Sequence, residues 1–505
     1  MAVSSQRFRH SWMFLAISMV AIFPAWAVAQ STQPTGTTDA SPASAPAAEQ
    51  AGPVEPAPPP AAATQPAEDP VEAWIQATKH PVPWMTWGAD LRLRDLYINN
   101  GVRLDKKDPT HEIHRQRYRP RWWTTISPSE HLDFNMRIVW EANTYAKPHS
   151  YETVDRGEVL FDIFNFKIKK PFDLPITITG GRQEISLGDR WLVFEGGPLD
   201  GSRTICFDAI RLTADLEDVK TRIDLIYIDQ DAEGKGWIPM LKDRYTHTST
   251  GLPAQRYITE QDERGAVLWI HNESIARTEL DGYFIYKNTT ANAPSAPQRG
   301  DDADIYTFGG RAAHAFDEHW KARAELAHQF GHKNDSRHEA LGFNSQLAYH
   351  FNDQYKNWLR LEYEYLSGDR PGSGTNEAFD MLWGRWPRWS ELYIYTNAGE
   401  TGRFADSSNL HRIGTGWSCQ PHPRIQLATD YHVLFADQNT YRDRAAYSRG
   451  GKFRGQLLTW SMKYIVIPNH LTGHLWAEFF CPGDYWAKSN NDFATFLRAE
   501  LIWTW

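Results

Sequence analysis

The chain has little cysteine: Cys206, Cys419 and Cys481 in 505 residues. An odd number permits at most one disulfide, and none of the three has metal-ligand spacing to a histidine, so no disulfide scaffold or zinc site is expected. Long apolar runs are missing too. The stretch Trp12 to Phe23 is shorter than the roughly 20 residues of a spanning helix, and no later segment approaches that length. It follows Arg7 and Arg9 and precedes Ala27-Val28-Ala29, the layout of a signal peptide cleaved near Ala29. Positive charge is scarce as well. With 53 Lys and Arg against 62 Asp and Glu the formal charge is -9, and losing Arg7 and Arg9 with no acid takes it to -11. Nucleic-acid binding gets no support from that balance. Also lacking are HExxH, paired CxxC and a Gly-rich phosphate loop before a helix, so neither cofactor nor metal is expected.

What the chain has is aromatic residues and alternation. Aromatics make up 13% of it, including 22 Trp, although its mean hydropathy is -0.56. A barrel whose lipid-facing half is interleaved with lumen-facing polar residues has this composition. The last strand shows the pattern in full. Phe493, Thr495, Leu497, Ala499, Leu501, Trp503 and Trp505 share one face, and Phe496, Arg498, Glu500, Ile502 and Thr504 the other. Phe493, Leu497, Leu501, Trp503 and the terminal Trp505 resemble the signal by which outer-membrane barrels are recognised for insertion.

Residues 30–70 are mostly Ala, Pro, Thr, Ser and Gly, which cannot bury enough apolar surface to offset ordering entropy, so a disordered periplasmic linker is expected. Residues 71–84 read as a short helix or loop at a barrel mouth. From 85 to 505 strand follows strand at period two. Leu132, Phe134, Met136, Ile138 and Trp140 oppose Asp133, Asn135 and Arg137; Leu359 and Leu361 oppose Arg360, Glu362 and Glu364; Tyr431 and Val433 oppose Asp430 and His432. The charged set must face the lumen, because Arg at the lipid midplane costs roughly 2–4 kcal/mol. Roughly nineteen candidate strands can be marked. Single-chain bacterial barrels close with even numbers, so an all-β, antiparallel up-and-down transmembrane barrel of about 18 strands (16 to 18) is expected. The weakest candidates are Arg264 to His271 and the Trp-rich Trp383 to Tyr395, the latter a loop or an aromatic girdle. Polar inserts at Gln230 to Asp262, Lys287 to Asp304, Asp369 to Ala378 and Gln438 to Gly451 alternate with tight turns, as in a porin.

Arg115, Arg117, Arg119 and Arg121 recur at every second position. On a strand they form one ladder with guanidiniums about 7 Å apart, facing the lumen because Tyr118, Pro120 and Trp122 suit the other side. Guanidinium is always charged and binds carboxylate bidentately, so the ladder offers weak successive stations to a polyanion. Alternatively, acids on neighbouring strands neutralise it and the group fills a wide barrel. Arg92, Arg94, Arg137, Arg360, Arg412 and Arg498 also take polar-face positions, countered by Asp90, Glu141, Glu362, Asp430, Glu478 and Glu500.

The segment Gly180 to Leu212 resembles the core signature of the alginate export family. The matching residues are Gly181, Arg182, Gln183 and Glu184, then Gly188, Asp189 and Arg190, then Asp200, Gly201 and Arg203, then Phe207, Asp208, Arg211 and Leu212. Tyr363 to Asp369, Ala477 to Phe480 and Pro482 to Tyr485 are similar to further family motifs, so the resemblance runs from about Trp87 to Trp505. It implies an eighteen-stranded outer-membrane barrel with an arginine-rich constriction that conducts a uronic-acid polymer. The Gly-Asp-Arg segment can equally be a sharp turn or an inward-folded loop with duties to the fold alone.

The favoured reading is therefore a passive outer-membrane channel for an anionic polysaccharide, an alginate-like polyuronate. A general or carbohydrate-selective porin is the first alternative. A barrel enzyme or surface adhesin is the second, its candidate pairs being Asp430 with His432 and the row His470, Thr472 and His474, which as same-face neighbours suit lumen lining better than catalysis. Expected partners are the polysaccharide, outer-membrane lipid, the barrel-assembly machinery during insertion and periplasmic export or synthesis proteins.

Overall fold

The computed structural model describes residues 70–148, 154–155, 159–194, 206–232, 238, 241, 244–246, 253–255, 259, 261–291, 300–385, 387–403 and 407–505. The signal peptide and the linker expected before Pro70 lie outside these residues, as do Asp200, Gly201, Arg203 and Trp386.

Alternating apolar and polar residues satisfy lipid on one side and lumen on the other only if the sheet closes, because an open edge in hydrocarbon would leave backbone groups unpaired. Eighteen strands close here into one antiparallel barrel. They are β1 (Met85–Asn99), β2 (Glu112–Ser129), β3 (Leu132–Trp140, resumed beyond Glu141 as Ala142–Lys147), β4 (Val159–Lys169), β5 (Ile176–Gln183) and β6 (Phe207–Leu216). Next come β7 (Thr221–Gln230), β8 (Asp262–Asn272), β9 (Thr278–Thr290), β10 (Ala303–Ala315), β11 (Trp320–Lys333) and β12 (Ser336–His350). The last are β13 (Trp358–Leu366), β14 (Leu410–His422), β15 (Ile425–Phe435), β16 (Phe453–Ile467), β17 (Leu471–Pro482) and β18 (Ala494–Thr504). Closure sets β18 against β1, with Arg94 opposite Glu500 and Leu93 opposite Leu501. Arg264 to His271 lies within β8, and the stretch Trp383 to Tyr395 is no strand: it is loop running into the helix α2, described below.

One end carries short turns, such as the pair Glu130-His131 between β2 and β3. The other carries long loops, of which 367–409 between β13 and β14 is the longest. One connection at the long-loop end breaks the pattern. Asn334 and Asp335 alone join β11 to β12, at φ 49° and 65°, the two positive-φ positions of a tight hairpin that Asn and Asp tolerate. At the short-turn end helix α1 (Pro70–Lys79) lies beside the last strand, with Trp74 edge-on to Trp505 at 5.5 Å. Trp87 stacks on the other side of Trp505 and donates from Nε1 to the Thr78 carbonyl at 2.6 Å.

The outer surface is apolar. Leu91, Phe134, Phe166, Leu225, Leu268, Phe308, Leu361, Leu458 and Leu501 are all exposed. Tyr286, Tyr306 and Phe330 stack in a row near the long-loop end, and Trp320, Tyr349 and Phe351 cluster near the other. These are the two interfacial aromatic belts of an outer-membrane barrel. Phe493, Leu497, Leu501 and Trp503 stand on this face at 40 to 48% exposure.

The inner surface changes character along its height. In β1, Asp90, Arg92 and Arg94 are followed on the same face by Leu96 and Ile98; in β7, Asp224 is followed by Ile226 and Ile228. In the long-loop half these apolar inner residues, with Val267, Ile285, Ile305 and Phe496, form one core with side chains from inward-folded loops: Leu187, Leu192, Val193, Phe379, Leu382 and Trp383. The lumen is polar in its short-turn half and filled by protein in its long-loop half.

Candidate conduction path

Two loops make the filling. One leaves β5 and runs through Ile185 to Phe194; the other is the connection from β13 to β14, which carries α2 (Glu391–Thr401). They meet at a parallel bridge between Val193 and Trp383, with the Trp383 amide donating to the Leu192 carbonyl at 3.0 Å. Trp191 stacks on Phe379 at 5.5 Å, and its indole nitrogen donates to Glu364 at 3.1 Å. Trp383 is fully buried; it donates to Glu263, which also holds Arg385 at 2.7 Å.

Helix α2 is fixed to the wall at both ends by buried charge. Its N-cap Ser390 accepts from the Tyr393 amide at 2.9 Å and donates to the buried carboxylate of Glu478, which also accepts from the Glu391 amide at 2.7 Å. A carboxylate facing a helix N-terminus is electrostatically favoured. Glu391 pairs with Arg498 at 2.8 Å. Toward the far end Glu400 pairs with Arg454 and accepts from the Tyr485 hydroxyl at 2.8 Å. Burial raises the Tyr393 hydroxyl to about 12.

The arginine ladder sits beneath and behind α2. Arg115, Arg117, Arg119 and Arg121 share the inner face of β2, opposite Leu96, Arg94, Arg92 and Asp90 of β1. Arg121 is held by Asp90, Arg117 lies 3.5 Å from Glu141, and Arg115 donates to the Tyr395 hydroxyl of α2 at 2.8 Å. Arg94 pairs with Glu500 at 2.5 Å. Arg92, Arg94, Arg117, Arg119 and Arg498 are at most 4% exposed. From the sequence these arginines are expected to face the lumen, either as stations for a polyanion or neutralised by acids on neighbouring strands. They do face inward, but Arg117 and Arg119 are buried, while Arg115, against the Tyr395 hydroxyl, and Arg121, beside Asp90, stay partly exposed. Among the described residues the carboxylates that pair with this group include Asp90, Glu141, Glu391 and Glu500.

Other anticipated residues are wall braces. Arg182 is fully buried and grips Asp208 with two contacts of 2.7 Å, locking β5 to β6. Arg137 pairs with Asp162 at 2.9 Å and with Glu184, and Arg211 pairs with Asp224 at 2.7 Å. Arg412 bridges Glu362 and Glu364 at 2.6 and 3.1 Å, while Arg360 pairs with Asp430. His432 is 1% exposed between Arg412 and the Trp389 ring, and His470 sits at a rim turn bound to Glu72. No disulfide joins the three cysteines.

Accessible cations cluster where the two loops face the open half. Arg190 and Arg388 lie over the Phe194 ring at 5.6 and 5.2 Å. Both are exposed, and neither has a carboxylate partner among the described residues. Arg388 donates to the Asp189 carbonyl at 2.6 Å; the Asp189 carboxylate holds Arg323 at 2.7 Å and Arg311 at 2.8 Å. Arg311, Arg323 and Arg388 escaped the sequence reading. The signal available was Arg388 inside the Trp-rich stretch, two residues before a Ser-Glu helix start.

A closed barrel with an apolar outer belt, a polar half-lumen and inward-folded loops is the architecture of an outer-membrane channel. The alginate export family profile matches residues 88–498, and the chain belongs to that family. It is an outer-membrane β-barrel of transport type. Among solved structures, Acinetobacter baumannii OccAB4 and OccAB2 are each 10% identical with a TM-score of 0.52, over 83% of this chain and 98% of theirs. Pseudomonas aeruginosa OpdQ is 11% identical with a TM-score of 0.51, over 83% and 98%. At that identity the likeness is one of fold. No curated protein sequence matches the chain.

Proposed function

We propose that the barrel conducts an anionic polysaccharide, an alginate-like polyuronate, outward from the periplasm. One observation carries the reading: Arg190 and Arg388, two exposed guanidiniums without carboxylate partners among the described residues, flank Phe194. Guanidiniums left unpaired beside a narrowing give brief, exchangeable contacts to carboxylates, which favours entry without trapping the polymer. The C-terminal aromatic face is the part the assembly machinery would read.

A carbohydrate-selective porin for neutral solutes would need tryptophan faces open to sugar rings. Trp358, Trp389, Trp476 and Trp383 carry Arg360, Arg412, Arg498 and Lys287 over their rings at 4.7 to 5.5 Å. On these four tryptophans a cation takes one ring face, which leaves that face closed to a sugar.

Planar-bilayer recording tests the reading. Wild-type channels are expected to prefer anions and to be blocked by uronate oligomers, and replacing both Arg190 and Arg388 by Gln should weaken block about tenfold or more. Cation preference with no block by uronate would sink it.

A further inference from the structure

The polar half of the lumen contains a built recess away from the Arg190–Arg388 pair. It has a volume of 520 Å3 and is set into the inner wall of β2 to β6, within the roughly 300–1,000 Å3 of small-molecule sites. Its lining is unlike the ladder above it. Arg121, Arg137 and Arg211 reach it already paired to Asp90, Asp162 and Asp224. Glu184, paired with Arg137, also lines it, as do Met136 and Ile163; the other lining residues, such as Thr125, Asn135, Asn165, Thr177, Thr179 and Thr213, offer neutral hydroxyls and amides.

Three features mark it as a place for a ligand. Lys167, a half-buried cation of β4, makes no ion pair or side-chain hydrogen bond among the described residues; it faces Thr179 across the β4–β5 ladder, and Arg211 follows on the next strand. The hydroxyls of Thr177 and Thr179 likewise have no side-chain partner there. Trp123, which points inward across Gly88, lines the same recess. Unlike the four lumen tryptophans above, it has no cation or aromatic ring against it among the described residues.

One free ammonium, unengaged hydroxyls and an uncovered indole on one wall fit a ligand that is mostly hydroxyl with a single carboxylate and a flat C–H face. We infer that the recess is a second saccharide subsite, taking a uronate residue at the short-turn mouth. Lys167 receives the carboxylate, Thr177 and Thr179 bond ring hydroxyls, and Trp123 stacks on the pyranose. The inference rests on the polyuronate reading and deepens it, separating a site that recognises the sugar from the arginines that recognise only charge.

The test is calorimetric titration of the full-length protein in detergent with a uronate tetrasaccharide and, separately, with a neutral glucose tetrasaccharide. Lys167→Gln should weaken uronate binding about tenfold, the worth of a charge-assisted hydrogen bond, while Lys167→Arg retains most of it. Trp123→Ala should weaken it severalfold. Heat-modifiable electrophoretic mobility checks that each variant still forms a barrel. Uronate binding that ignores Lys167 and Trp123 but falls on replacing Arg190 and Arg388 overturns the recess and leaves the channel reading standing. Equal binding of the neutral sugar overturns the carboxylate assignment, and with it the subsite. Failure of the wild-type protein to bind uronate, together with no block of current, overturns both.

Discussion

The two halves of the lumen are built from the same strands and solve opposite problems. In the long-loop half the inner wall is apolar and packed, and its charges are enclosed: the Arg454 and Glu400 side chains are 0 and 2% exposed. In the short-turn half the wall is Thr, Asn and half-open ion pairs, such as Lys169 with Asp133 at 35 and 15%. A charge pair sealed in the first region must be complete, because a single buried charge has no water to fall back on. In the second region water substitutes for a lost partner. The same residue types thus fix structure above and leave chemistry available below.

The sharpest way to break that contrast is to remove one member of a sealed pair. Arg454→Met leaves Glu400 uncompensated among Tyr393, Tyr485 and Tyr447 and is expected to cost about 3–5 kcal/mol, read as a lower urea midpoint for the protein in lipid vesicles. A loss no larger than that of an exposed pair would mean that water reaches Glu400 and the upper half is not dry. Next in size, Glu391→Gln strips Arg498 of its helix-borne partner. About 1–3 kcal/mol is expected, and single-channel conductance should rise as α2 loosens from β17 and β18. In the open half Lys169→Met should cost no more than about 1 kcal/mol, by the same urea measurement.

These differences explain what could be read from the sequence. Where lipid lies on one side and water on the other, period two is clean, and β13, β15 and β18 were legible with the correct face inward. Where the inner face packs on a loop, both faces turn apolar. Ala266, Val267, Leu268, Trp269 and Ile270 of β8 run without polar alternates, yet alternate residues are buried and exposed, which is why that strand looked weak. A doubly apolar stretch in a barrel strand signals a filled lumen at that height. Helix α2 was hidden for a related reason: Glu391, Leu392, Tyr393, Tyr395, Thr396, Asn397, Ala398 and Glu400 are all buried, so no single stripe repeats at helical spacing. The ladder's facing was legible from alternation. Its covering was not, since that depends on a loop from β13 more than 200 positions away in the chain.

The rim extends the comparison to a contact exposed on one side and pinned on the other. His470 is raised by the Thr504 carbonyl and then by Glu72, and Glu72 is lowered by the Gln76 amide and then by His470. The histidine contribution is complete below its unfolded pKa of about 6.5 and is lost as pH rises through the higher folded value. The carboxylate contribution is present above its unfolded pKa and is lost as pH falls through the depressed folded value. The tether of α1 is therefore strongest between the two, from mildly acidic to neutral pH. Because Glu72 is partly exposed, at 31% of its side chain, the effect should stay below about 1 kcal/mol and remain local. Proteolysis within Pro70–Lys79 should accelerate on moving from pH 6 to about pH 9, and His470→Gln should abolish that dependence, leaving the barrel's urea midpoint unmoved. A midpoint that shifted with α1 would show that the rim contact supports the whole barrel and that the polar half is less independent than its open wall implies.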